Sequence, residues 1–202
     1  MNPSDILQFI GIPVAVATGI MLASWWVLPS KRLQPIGSCM AVGLSCFAAF
    51  VLQEDLPSIP PNQKWHWLVI TIMLVSLLAC IYPLWKKWDK RIVLQAMIAG
   101  LIGAIAMQFP SQDGIVFRFV VFILILFTCV GLRRFTIPPW HMYLASWMIL
   151  ASISILALQG SFAKLAFFAG AMSAVAAALC VLQLVNPRET KSVQMIFWCL
   201  HC

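Results

Sequence analysis

The sequence predicts an all-α integral membrane protein, a single polytopic helix bundle of about seven transmembrane helices, and three observations carry that prediction. Of 202 residues, 62% are hydrophobic and only 9% charged, against roughly 25% charged in a soluble domain. The apolar residues fall into long runs of near-spanning length. The basic residues gather in every second break between those runs. A chain so poor in polar groups cannot cover a water-facing surface with them, so its solvent is largely lipid.

Crossing a bilayer takes roughly 20 apolar residues, within a range of about 17–25. Ile6–Leu28 meets this first. No Lys or Arg precedes it in Met1–Asp5, so it reads as a permanent helix and not as a cleavable signal. Pro13 predicts a break within it. Ile36–Leu52, Trp65–Trp85, Ile92–Phe109 and Ile115–Leu132 follow, then Trp140–Leu158 and Phe162–Val185. The second, fourth and fifth runs are near the short end. Residues 1–185 are thus expected to form one transmembrane bundle. Residues 186–202 remain as a cytoplasmic tail or the start of a further helix.

The breaks are of two kinds. Pro29-Ser30-Lys31-Arg32, Lys86-Lys87-Trp88-Asp89-Lys90-Arg91, Arg133-Arg134 and Asn186-Pro187-Arg188 are basic. Glu54-Asp55 with Pro57, Pro60 and Pro61, then Pro110–Gly114, then Gln159-Gly160-Ser161 are acidic or rich in Pro and Gly. The basic side, including Lys191, holds ten of the thirteen Lys and Arg residues; Lys64, Arg118 and Lys164 fall opposite. By the positive-inside rule the C-terminus is cytoplasmic and the N-terminus outside. That places the chain in a membrane, the plasma (inner) membrane if the cell is bacterial.

Small residues at four-residue spacing predict which faces pack, because they let helix backbones approach closely in lipid. The first run carries Gly11, Ala15, Gly19 and Ala23, and the second Gly37, Ala41, Ser45 and Ala49. The fourth carries Ala96, Gly100 and Ala104, and the seventh Ala166, Gly170, Ala174 and Ala178. These four helices are expected at the packed centre. The third and fifth lack such a seam and are expected to face lipid. Gln53, Gln108 and Gln159 each close a run with Ser58, Ser111 or Ser161 soon after, a faint echo of three helix hairpins with unequal spacing.

Candidate chemistry is sparse. No Asp, Glu, Lys, Arg or His lies near the middle of any run, where proton relays and charged-substrate paths place them. Charge gathers instead at the outer rim, where Glu54, Asp55, His66, Asp113, Arg118 and Lys164 define a possible polar pocket. His66 and His141 lie beside Trp65, Trp67 and Trp140 at opposite ends of their helices, which predicts interfacial anchoring. The hydrocarbon between them is about 30 Å thick, too far for one shared ion.

Cys39, Cys80, Cys129 and Cys180 fall in the cytoplasmic half, with Cys199, His201 and Cys202 in the tail. They are expected to be apolar fillers rather than a soft-metal site. Ser24, Ser45, Ser152 and Ser154 have no base within reach and are expected to hydrogen-bond their own or a neighbouring helix. Catalytic residues, metal and cofactor are expected to be absent. Trp85-Lys86-Lys87-Trp88-Asp89 resembles the tryptophan-rich segment of haem-handling cytochrome c biogenesis proteins. It lacks their fuller motif and lies in a basic inner loop where theirs is outside, so it assigns no family.

The function expected is therefore that of a non-catalytic subunit or assembly factor of a membrane complex. A small transporter or channel for neutral or weakly polar solutes is the alternative, with a membrane enzyme working at the outer rim third. Expected partners are the bilayer and another membrane protein or a second copy of the chain. Nucleic acid is not expected, because the +7 net charge is scattered in small clusters and forms no stripe.

Overall fold

The computed structural model describes residues 3–27, 34–53, 66–81, 116, 119–120, 122–124, 139–160 and 162–186. Among these, five helices are defined: α1 (Pro3–Val27), α2 (Gln34–Val51), α3 (His66–Ile81), α4 (Pro139–Gln159) and α5 (Ala163–Val185). Strands are absent from the described residues. The five helices match the first, second, third, sixth and seventh apolar runs to within a few residues. The fourth run, and with it Ala96, Gly100 and Ala104, lies outside the described residues, as does most of the fifth.

Why these segments are helical follows from their composition. A backbone surrounded by apolar groups must satisfy its own N–H and C=O groups, and a helix does so within one segment. Three helices contain stretches long and apolar enough to cross a membrane: Leu7–Val27, Trp140–Gln159 and Ala163–Val185. α2 and α3 carry shorter apolar stretches, Ile36–Val51 and Val69–Cys80. Pro13 does not break α1, which continues through it to Val27. The proline is itself buried, and one turn later the Thr18 hydroxyl donates to the Val14 carbonyl at 2.8 Å.

α2 packs against α1, α3 and α5, and α5 against α1, α2 and α4. The ends of α1, α3 and α5 meet the beginnings of α2 and α4. Ser38 of α2 touches Met21 of α1, Cys80 of α3 touches Ile36, and Cys180 of α5 touches Trp140 of α4. Consecutive described helices therefore alternate in direction. The core comprises Ala17, Met21, Cys39, Ala41, Val42, Cys46, Ala49 and Phe50 from α1 and α2. To these α3, α4 and α5 add Ile72, Val75, Tyr143, Ala171, Val175 and Leu179 among others.

One expectation about the centre is corrected. α3 is not a purely lipid-facing helix: it buries Val69, Ile72, Val75, Ser76 and Ala79 while leaving Leu74 and Leu77 exposed. The small residue that admits it is on the partner, Gly43 of α2, where an added Cβ would lie 2.9 Å from Ser76 Cβ. α4 also belongs to the bundle, burying Met142, Tyr143, Ser146, Leu150 and Ala157. The outer surface is apolar: Leu7, Trp26, Met148, Leu156 and Val185 are all at least 60% exposed. Such a broadly apolar surface suits lipid. Val116, Phe119, Val120 and Leu124 of the fifth run are exposed as well.

Candidate functional site

The polar rim expected outside is represented by two described residues, and they point different ways. His66, in the first turn of α3, is 6% exposed. Its ring packs edge-to-face on Phe50 at the end of α2, with centroids 5.0 Å apart. It is a core residue, not the interfacial anchor its tryptophan neighbours suggested, because α2 closes over the start of α3. Lys164, in the first turn of α5, is exposed. Glu54, Asp55, Asp113 and Arg118 lie outside the described residues. His141 is exposed and stacks on Trp140, with ring centroids 3.5 Å apart.

The small-residue seams divide similarly. Gly37, Ala41, Ser45 and Ala49 of α2 are all buried, and a Cβ at Gly37 would collide with the Ser24 side chain of α1. On α5, Ala166 is buried and Gly170, Ala174 and Ala178 are half-buried. A Cβ at Gly170 would lie 3.2 Å from Ser154 Oγ of α4. On α1 the expectation of inward packing is overturned. Gly11, Ala15, Gly19 and Ala23 are exposed, and open space surrounds Gly11 and Gly19. α1 packs instead through Pro13, Ala17, Met21 and Ser24. The Ser24–Gly37 contact sets that rotation, since it brings the opposite face of α1 against α2.

Between α4 and α5 the seam is polar and regular. Ser154 Oγ donates to the Ala166 carbonyl at 2.7 Å, Ser173 Oγ to the Trp147 carbonyl at 3.2 Å, and Cys180 Sγ to the Trp140 carbonyl at 3.5 Å. Trp140, Trp147 and Ser154 are seven residues apart, and so are Ala166, Ser173 and Cys180. A seven-residue step is two helical turns with a small drift, so a seam that keeps it winds left-handed. Ser24, Ser45 and Ser152 bond within their own helices, to Met21, Val42 and Met148 carbonyls.

At the end where α1 stops and α2 starts, all five helices contribute to one buried group of hydroxyls and sulfurs. Ser38 Oγ donates to Met21 Sδ at 3.3 Å. The Tyr143 hydroxyl, from α4, interacts with the Ser38 side chain, and Tyr143 shares one core with Cys39 and Cys180. Cys39 and Cys80 are neighbours across α2 and α3. The Cys80 thiol also reaches the Ile36 carbonyl at 3.8 Å. Tyr143 is 1% exposed, Ser38 and Cys39 not at all. None of these groups carries charge at neutral pH in its ordinary state, so the cluster can hydrogen-bond or undergo thiol chemistry without burying an ion. Among the described residues no three His, Cys, Asp or Glu side chains are arranged to hold a metal. In the sequence the shared depth of Cys39, Cys80 and Cys180 is visible, but not that their helices are neighbours or that Tyr143 joins them.

No known protein family, no curated protein and no solved structure matches this chain.

Proposed function

We propose that this chain is a seven-span membrane protein serving a larger membrane complex as a non-catalytic subunit or assembly factor, and that its partner packs on α1. The observation that carries this reading is the outward seam of Gly11, Ala15, Gly19 and Ala23. Helices in lipid associate where small residues let backbones approach, and this stripe stands open while the stripe of α2 is filled.

Support for seven crossings comes from parity. α3 ends and α4 begins at the same end of the bundle, joined through Cys39 and Tyr143. An even number of crossings between them fits this arrangement, and the sequence offers two apolar runs there, 92–109 and 115–132. The basic breaks then share one side, which orients the N-terminus outside and the C-terminus in the cytoplasm.

A second reading, a small transporter for neutral or weakly polar solutes, draws on the buried hydroxyls and thiols of Ser38, Cys39, Tyr143 and Cys180. Purification from native membranes in mild detergent separates the two. A subunit brings a stoichiometric membrane partner, and Gly19→Leu lowers its recovery without lowering the melting midpoint of the isolated chain. A partner retained by Gly19→Leu, or a chain that always purifies alone, overturns docking through α1. Impermeant thiol labelling from outside is expected for cysteines introduced at Asp5, Ser58 and Ser161, and not at Ser30 or Thr190.

A further inference from the structure

The closest approach of α2 and α3 sets up a second feature. At Gly43 an added Cβ would lie 2.9 Å from Ser76 Cβ and 3.1 Å from Ser76 Oγ, so little but glycine admits these backbones so near. One turn further toward the start of α2, the same antiparallel register sets Cys39 opposite Cys80. Cys80 Sγ reaches over α2 to the Ile36 carbonyl, within one turn of Cys39, at 3.8 Å, so the two thiols are neighbours across the α2–α3 contact. Both are free thiols. Cys39 is wholly buried, whereas Cys80 is half-buried.

We propose that Cys39 and Cys80 form a reversible dithiol switch, which peroxide closes into a disulfide that staples α2 to α3. The half-buried Cys80 reacts first: its sulfur attacks one oxygen of hydrogen peroxide, the O–O bond breaks, and water leaves with formation of the Cys80 sulfenic acid. The Cys39 sulfur then attacks the Cys80 sulfur, the S–O bond breaks, and a second water carries away the remaining oxygen. Two thiols are oxidised by two electrons, one peroxide is reduced to two waters, and every proton is accounted for. A half-accessible thiol beside a resolving thiol is the usual arrangement of a peroxide-responsive pair.

Physical reasons favour this chemistry over metal binding at the same pair. The reaction is neutral to neutral, so nothing charged is left in an apolar interior, whereas two thiolates holding a monovalent soft cation would bury net charge. Among the described residues the competing thiols are badly placed. Cys180 is committed to the Trp140 carbonyl of α4. Cys46 lies two turns away along α2, about 10 Å at the helical rise. In a reducing cytoplasm the open dithiol is the resting state and the disulfide a transient one.

The test uses the full chain in lipid vesicles exposed to hydrogen peroxide with a metal chelator present, followed by alkylation and mass spectrometry of unreduced peptides. The expected product is a Cys39–Cys80 linked peptide, reversed by dithiothreitol and blocked beforehand by phenylarsine oxide, which bridges adjacent thiols. Cys39→Ser leaves the Cys80 sulfenic acid to be trapped by dimedone, and Cys80→Ser leaves Cys39 reduced at the same peroxide dose. Cys80 sulfinic acid without linked peptide, links to Cys180, or links between chains would overturn the switch. The experiment on the unsubstituted protein decides this even where a variant folds poorly.

Discussion

Replacing Gly37 by alanine tests the tightest contact in the bundle. The new Cβ would collide with Ser24 Cβ and Oγ. Ser24 cannot easily give way, because it is buried and its hydroxyl is held at 2.7 Å from the Met21 carbonyl. Overpacking of this kind typically costs about 1–3 kcal/mol. The helix itself gains about 0.5–1 kcal/mol when glycine becomes alanine, so the net loss is expected to be about 1–2 kcal/mol. Gly19→Ala supplies the control. Open space surrounds that position, so only the propensity gain remains and the variant is expected to be slightly more stable than the parent. Ser24→Gly removes the colliding atoms, and combined with Gly37→Ala it should recover part of the loss, a coupling of about 0.5–3 kcal/mol. Tryptophan fluorescence during denaturation in mixed micelles reads the parent and all these variants on one scale. If Gly37→Ala is as stable as Gly19→Ala, or its cost persists undiminished beside Ser24→Gly, the α1–α2 packing described here is wrong.

The α4–α5 seam offers a second test: Ser173→Ala is expected to cost about 0.6 kcal/mol and at most about 1.7, the range found for hydrogen bonds between membrane helices. Gly170→Leu should cost more, about 1–3 kcal/mol, since a Cβ alone already reaches 3.2 Å from Ser154 Oγ; an unchanged denaturation midpoint would place that face in lipid. For the buried histidine, a double-mutant cycle of Phe50→Leu and His66→Leu should show a coupling of about 0.5–1.5 kcal/mol, and additive effects would dissolve the pair. Glu54→Gln and Lys164→Gln are each expected to change stability by no more than about 0.5 kcal/mol. Loss of partner recovery in these two variants, with folding intact, is what distinguishes a functional outer pocket from ordinary interfacial charge.

Some of this molecule is written in local composition. The beginning and end of α1, α4 and α5 follow from where Pro, Gly and charge interrupt apolar runs. A helix in apolar surroundings satisfies its backbone within its own segment and needs no distant partner to do so. The fate of Ser24, Ser45 and Ser152 was legible for the same reason: a hydroxyl without a base nearby turns to a carbonyl three or four residues back. The stripe of small residues on α2 likewise marked a face that is buried.

Other features depended on which helices became neighbours. The stripe on α1 looks like that of α2 in sequence, yet it points outward, and Pro13, Ala17, Met21 and Ser24 point in. His66 looked interfacial beside its tryptophans until Phe50 of another helix covered it. Gly43 admits α3 although α3 has no small-residue seam of its own, and Tyr143 shares one core with Cys39 and Cys180 from two other helices. The physical reason is common to all of these. In a soluble helix the inward face is announced by apolarity, because water penalises any other rotation. In lipid both faces of a helix are apolar and the solvent is indifferent to which turns inward. Rotation and partnership are then settled by shape, close approach and the few hydrogen bonds between helices, which exist only once the tertiary structure has formed.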